Sequence, residues 1–537
     1  MTPAPSSADL PRLLKGGSLV FQHFQRLARQ EPTFQWVPVL EKAVLSLYRQ
    51  ANTAPYSSKE RQSSAEPPAP VEVDAPIIAR EDRKYARTTE AAVPATQVSR
   101  VFGFGMLGVR LALGTAISGS AKSGQNAELL AVTLCRMRGA ALKLGQMLSI
   151  QDDNILSTEL TSALEKVREG ADRMPMQQLH RVMEEDLGMN WKTEKFEDFD
   201  EMPIAAASLG QVHYGRIKDR KSGLMKNVAV KVQYPGVATS IDSDVANLMR
   251  VVKVTNFVPK GLYIERAMDV ARQELILECD YEHEAAAQGK YRVLLEQDHR
   301  LFSSENSTDV RFSVPTLYPD FCSKRILTSE YVTGVPLDQV ARMDQETRDA
   351  VGVAMLQLTL TELFEWNYMQ TDPNWSNFLY DAESRTCHLI DFGATRSFPK
   401  AFVDQYLRMV LGAANSDESM FLDASVQAGF LSGKESDEMI AAHVAAGMVV
   451  GEPFRAQLGG GPFHFGGTEK LTARVTGELP TIGRDRLQPP PTETYSLHRK
   501  LSGAFLAAIK LRSRIPSRDI LLAIVDQYQF SDPTVTT

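Results

Sequence analysis

Two short segments downstream of the chain's midpoint restrict its fold more than anything else in the sequence. Asp372-Pro-Asn-Trp-Ser-Asn377 sets an Asp and an Asn at a D-x-x-x-x-N spacing, and Leu389-Ile-Asp391-Phe-Gly393 follows closely behind. Far upstream, Lys231 closes the run Val228-Ala-Val-Lys231. Phosphoryl transfer needs a cation on the triphosphate, ligands for magnesium and a group that orients the nucleophile, with little covalent help from protein. Lys231 suits the first task, because a buried strand can aim its ammonium at the α and β phosphates. Asp372 suits the attacking oxygen, and Asn377 and Asp391 suit the metal. Taken singly, each piece is ordinary strand-end or turn chemistry. Together, in this order and spacing, they point to an ATP and Mg2+ site. One departure stands out: the usual His-Arg ahead of the Asp is replaced by Gln370-Thr371.

The surrounding texture predicts an α+β, two-lobed fold. Short β-branched runs at Gln211–Gly215, Val228–Val232 and Arg325–Glu330 read as strands. Beyond Asp338, helical periodicity dominates through Ala350–Glu365, Ala401–Ala414 and Leu501–Leu511. Strands first and helices second is the order of a kinase N-lobe and C-lobe. With 537 residues, 43% hydrophobic and 23% charged, the chain can bury such a domain and carry an extension besides. A formal charge of −7 leaves no excess of cations for a phosphate backbone, so nucleic acid is not an expected partner. The four cysteines show neither CxxC nor Cys/His ligand spacing, which argues against a zinc site or disulfide scaffold.

Ahead of the strands the chain divides by composition. Residues 1–50 set Arg12, Lys15, Arg26 and Arg29 among Leu13, Leu14, Leu19, Val20 and Phe21, the pattern of a mitochondrial targeting segment or of an amphipathic surface helix. Residues 51–97, with Pro67-Pro68-Ala69-Pro70, read as a linker. Residues 98–122 are apolar enough to span or lie on a membrane, although Arg110 near their centre penalises spanning. Gly108, Ala112 and Ala116 recur at small-xxx-small spacing. Within 123–200, Leu130, Leu134, Met137, Ala141, Leu144 and Leu148 follow a helical period.

Where a Gly-rich loop should cover the phosphates, the chain reads Ala205-Ala206-Ala207-Ser208-Leu-Gly-Gln211. This stretch resembles a signature of the UbiB family of atypical kinases. So do Lys143-Leu-Gly-Gln146, Glu278-Cys-Asp280-Tyr281 and Pro489-Pro-Pro-Thr-Glu-Thr-Tyr-Ser-Leu-His-Arg499. The match is closest to the mitochondrial, ubiquinone-biosynthesis branch and covers the chain from about Phe102 onward. The resemblance implies a protein-kinase-like fold with a helical K-x-G-Q extension over residues 123–200, an N-lobe over 201–335 and a helical C-lobe over 336–537. It implies that Lys143 and Gln146 reach the nucleotide pocket and face Glu278 and Asp280. It also implies that Glu284 pairs with Lys231, and that the backbone of Glu330 and Val332 meets adenine.

By the same resemblance, the expected activity is that of a kinase-like ATPase on the matrix side of the inner mitochondrial membrane. Its expected partners are ATP, a membrane lipid (cardiolipin or isoprenoid coenzyme Q precursors) and the coenzyme Q biosynthetic enzymes. Phosphorylation of a lipid or small molecule, or a nucleotide-sensing scaffold, are the alternatives; assembly state stays open, a homodimer included. Phe398-Pro399 and a new helix follow Asp391 closely, leaving little room for a peptide-docking activation segment.

Overall fold

The computed structural model describes residues 173–207, 209–255, 264–302, 310–457, 459–468 and 470–531. The targeting, linker, membrane-helix and K-x-G-Q readings, with Lys143, Gln146 and Ser208, lie outside the described residues.

Val228, Val230 and Val232 alternate along one strand and are fully buried, whereas Ala229 and Lys231 face the other way and are only half-buried. A period of two puts the valines on the core side and Lys231 on the opposite face. This strand, β3 (Met225–Gln233), lies in an antiparallel sheet ordered β1-β2-β3-β5 with β1 (Asp198–Ala206), β2 (Gly210–Lys218) and β5 (Ile326–Glu330). The register sets Val212 of β2 and Leu327 of β5 on either side of Lys231. Helix α1 (Met176–Leu187) turns Leu179, Val182 and Met183 into the same core, where Trp191, Phe196 and Phe199 meet edge to face.

Between β3 and β5 the chain inserts α2 (Val237–Thr255), α3 (Ile264–Glu278), α4 (Tyr281–Gln297) and the short strand β4 (Arg311–Ser313). The second lobe follows the extended segment after β5. It contains a sheet ordered β4-β9-β8-β6, in which β6 (Val335–Pro336), β8 (Phe378–Asp381) and β9 (Thr386–Leu389) run antiparallel and β4 joins β9 in parallel. At its centre is α5 (Gln345–Phe364), buried on most sides from Val351 to Phe364. Beyond it come β7 (Tyr368–Gln370), β10 (Thr395–Ser397), α6 (Lys400–Asn415), α7 (Glu418–Gln427), α8 (Asp437–Gly451), α9 (Lys470–Asp485) and α10 (Thr492–Leu511). The strands and helices anticipated from periodicity within the described residues are present, and the mixed α+β architecture is that of a kinase.

Two buried histidines, His213 and His443, tie this core to pH. His213 places Nδ1 at 2.8 Å from Asp200 O and Nε2 at 2.8 Å from the Gln211 amide nitrogen, so Nδ1 donates, Nε2 accepts and the ring is neutral. His443 contacts the Ser425 hydroxyl at 3.0 Å. Burial depresses both from 6.5 to about 4. The unfolded chain therefore takes up protons that the folded chain refuses, and stability falls as pH drops from 6.5 toward 4. The slope is at most ~1.4 kcal/mol per pH unit per histidine. Thermal melts at a series of pH values should show that decline, and a melting temperature flat across the window would contradict it.

Candidate active site

Lys231 reaches across from β3 to two carboxylates. Its Nζ donates to Glu284 Oε1 at 2.7 Å and Oε2 at 2.9 Å, and lies 3.3 Å from Asp391 Oδ2. The Tyr281 ring sits beneath the ammonium at 5.1 Å. Burial works against the charge on Lys231, but Asp391 and Glu284 outweigh it and hold the ammonium well above the ordinary lysine value. Burial pushes the Glu284 carboxyl upward, opposed chiefly by Lys231.

Local sequence explains why Glu284 arrives there. Asp280 caps α4, accepting the N–H groups of Glu282 and His283, which fixes where the helix starts and therefore which face Glu284 occupies. Asp391 is brought in by the loop after β9, where Phe392 is fully buried against Tyr291 and its N–H lies 3.5 Å from Glu284 Oε1. A side chain on Gly393 would come within 3.3 Å of Glu278 Cγ and within 3.5 Å of both Asp391 Oδ1 and Glu284 Oε2, so three carboxylates surround that glycine.

The Asp372–Asn377 loop is laced to the Asp391 segment at both ends. Thr371 donates its N–H and its hydroxyl to Ala394 O at 3.2 and 2.7 Å, and the Ile390 N–H donates to Asn377 O at 3.1 Å. Within the loop, Asp372 Oδ1 accepts the Asn374 N–H at 3.1 Å, and the Asn374 side chain accepts the Ser376 N–H at 3.3 Å. Asn377 is buried, and its Nδ2 has no hydrogen-bond partner among the described residues.

Over the cleft, the Ala-rich stretch is less of a loop than its sequence suggests. Ala205 and Ala206 finish strand β1, paired with Val212 and Gln211, and the Ala207 N–H donates to Gly210 O at 2.9 Å. Alanine accepts extended dihedrals that a glycine-rich loop would leave open, so the hairpin runs further before it turns. Gly210 has no room for a side chain, because a Cβ there would stand 2.3 Å from Val232 O. At the junction between lobes, Glu330 pairs with Val228, and its carboxylate accepts the Thr316 N–H at 3.2 Å. The Tyr331 N–H is used by Asn227 O at 3.0 Å, and Val332 follows in the extended run to β6.

Residues 166–425 match the model of the ABC1 atypical kinase-like domain. The rat protein named atypical kinase COQ8B, mitochondrial, is 43% identical over 465 residues, covering 84% of each chain. The chain belongs to the UbiB family of atypical kinases. The Saccharomyces cerevisiae atypical kinase COQ8, mitochondrial, is 37% identical over 449 residues, covering 81% of this chain and 86% of that one. The zebrafish atypical kinase COQ8B is 42% identical over 462 residues, covering 82% of this chain and 70% of that one.

As a UbiB kinase the protein uses ATP. Among its described residues no group of three or more His, Cys, Asp or Glu side chains is placed to hold a metal by itself. Magnesium on a nucleotide needs only one or two protein side chains, because phosphate and water oxygens make up most of its shell. The side-chain oxygen of Asn377 and the carboxylate of Asp391 are oxygen donors of the kind that fit such a half-shell. Two functional candidates in this UbiB chain escaped the sequence reading. Arg499, the last residue of the late motif, and Lys500, which follows it on α10, are buried rather than solvated; Arg499 pairs with Glu274 at 2.8 Å, and Lys500 lies 3.3 Å from Glu362. The sequence carried no local signal for their burial, because cations on a helix are normally solvated.

Proposed function

We propose that this UbiB kinase is a magnesium-dependent ATPase that supports coenzyme Q biosynthesis on the matrix face of the inner mitochondrial membrane. The observation that carries the reading is the ion triad of Lys231, Glu284 and Asp391, beside a loop that holds Asp372 and Asn377. In this reading Lys231, steadied by Glu284, neutralises the phosphates. Asn377 and Asp391 hold Mg2+, which screens the charge that develops in transfer, and Asp372 orients a water or small hydroxyl. Ala205, Ala206, Ala207 and Ser208 cover the phosphates, and the backbone of Glu330 and Val332 meets adenine. Lys143 and Gln146 close over the cleft toward Glu278 and Asp280, and residues 98–122 bring the enzyme to cardiolipin or an isoprenoid precursor.

Hydrolysis is favoured over peptide phosphorylation because the segment after Asp391 is short. β10 pairs with β7 almost at once, and Pro399 caps α6, so no extended platform for a peptide is left. Purified full-length protein should release phosphate from ATP only with magnesium, and faster on cardiolipin-containing liposomes. Asp372→Asn should lower turnover by ~10²-fold or more with nucleotide affinity kept. A phosphorylated lipid accumulating in stoichiometry with ADP would replace hydrolysis with lipid kinase activity. Magnesium-independent turnover would sink both.

A further inference from the structure

Asp372 lacks the His-Arg that normally precedes it, yet a cation is present at that place from elsewhere in the fold. Lys500 on α10 is 3% exposed; its Nζ donates to Gln370 Oε1 at 3.2 Å and stands 3.3 Å from Glu362 Oε2. Glu362, fully buried on α5, uses Oε1 to accept the Gln370 N–H and the Tyr291 hydroxyl, each at 2.8 Å. Gln370 is thus gripped through both its backbone and its side chain, just ahead of Asp372. The same ammonium lies 5.2 Å from the centre of the Phe378 ring, immediately after Asn377. Further along α10, Gly503 lies so close to the loop that a Cβ there would stand 2.2 Å from Pro373 Cβ, and Lys510 sits over the Trp375 ring at 4.9 Å. One helix therefore backs the loop on both sides of its two functional side chains.

We propose that Lys500 is a positioning residue for phosphoryl transfer, setting the Asp372–Asn377 loop through Gln370, Glu362 and Phe378 in place of the missing His-Arg. The inference rests on the ATPase reading above. Its physical content is that Asp372 and Asn377 keep their place only while the loop is clamped from behind, and displacement of a catalytic group by about 1 Å can cost on the order of 100-fold in rate. Lys231 lies on β3 and Glu284 in the first turn of α4, two turns before the Tyr291 that meets the clamp, so the affinity for nucleotide should survive its loss.

The test uses the full-length chain. Lys500→Met alone leaves Glu362 buried without its cation and can fail to fold, so the informative variant is Lys500→Met with Glu362→Gln, which removes both charges together. The expected result is kcat lowered ~10- to 100-fold, affinity for Mg-ATP within about threefold of wild type, and recovery of most of the rate in Lys500→Arg, which keeps the cation. A wild-type kcat in the folded double variant, or a loss confined to nucleotide affinity, overturns the proposal. Asp391→Asn is run alongside: if it is inactive while the double variant turns over normally, only the positioning role of Lys500 fails. If Asp391→Asn itself turns over normally, the ATPase reading and the positioning role fall together.

Discussion

Asp391→Asn is expected to lower magnesium-dependent ATP turnover by at least ~10³-fold while the protein stays folded. The substitution changes almost no volume. An Asn Oδ1 still accepts the Gly393 N–H that Asp391 Oδ1 accepts at 3.1 Å, and Lys231 keeps its two bonds to Glu284. What disappears is the negative charge facing the metal and the triphosphate. A magnesium ion polarising a phosphoryl oxygen contributes several kcal/mol to the transition state, and ~4 kcal/mol corresponds to about 10³ in rate. Phosphate release measured across a magnesium titration, together with a thermal melt, separates the loss of chemistry from loss of fold. Turnover within tenfold of wild type, in a folded variant, would show that Asp391 is not the metal carboxylate.

Part of this arrangement was legible in the sequence because it depends on short periods. The alternation of Val228, Val230 and Val232 specifies a strand with one buried face, and Lys231 then has to face the other way. The spacing from Asp372 to Asn377 is local in the same sense, as is the apolar run Leu389-Ile390 that delivers Asp391. Glu284 is different. The helices α2 and α3 and the start of α4 separate it from Lys231, and no periodic signal spans that insertion, so only the family resemblance pointed to it. How far the hairpin runs was not legible for a further reason: Ala205 and Ala206 have small side chains that suit a strand end and a turn equally, and the register with Gln211 and Val212 decides the matter. Lys500 was invisible because a lysine in a helix is normally solvated. Its burial depends on α10 meeting α5 and the loop, a long-range contact with no local trace.

Glu284→Ala should damage stability and catalysis at once, and the two effects can be separated. Removing one partner of a buried ion pair leaves the other desolvated without compensation, at a cost of roughly 3–5 kcal/mol. Glu284 is fully buried and supplies the shorter contacts to Lys231, so the variant's melting temperature should fall by on the order of 10 °C. Lys231 is then left with Asp391 as its remaining carboxylate partner among these two, at 3.3 Å, and draws that carboxylate away from the metal. Turnover should therefore fall by more than the loss of folded protein explains. Pairing Glu284→Ala with Lys231→Met tests the cause: removing the cation as well relieves the uncompensated charge, so the double variant should be more stable than Glu284→Ala alone, although equally inactive. If the two substitutions instead destabilise additively, the charge of Lys231 is not what Glu284 satisfies, and the triad is a packing coincidence rather than the electrostatic centre of the site.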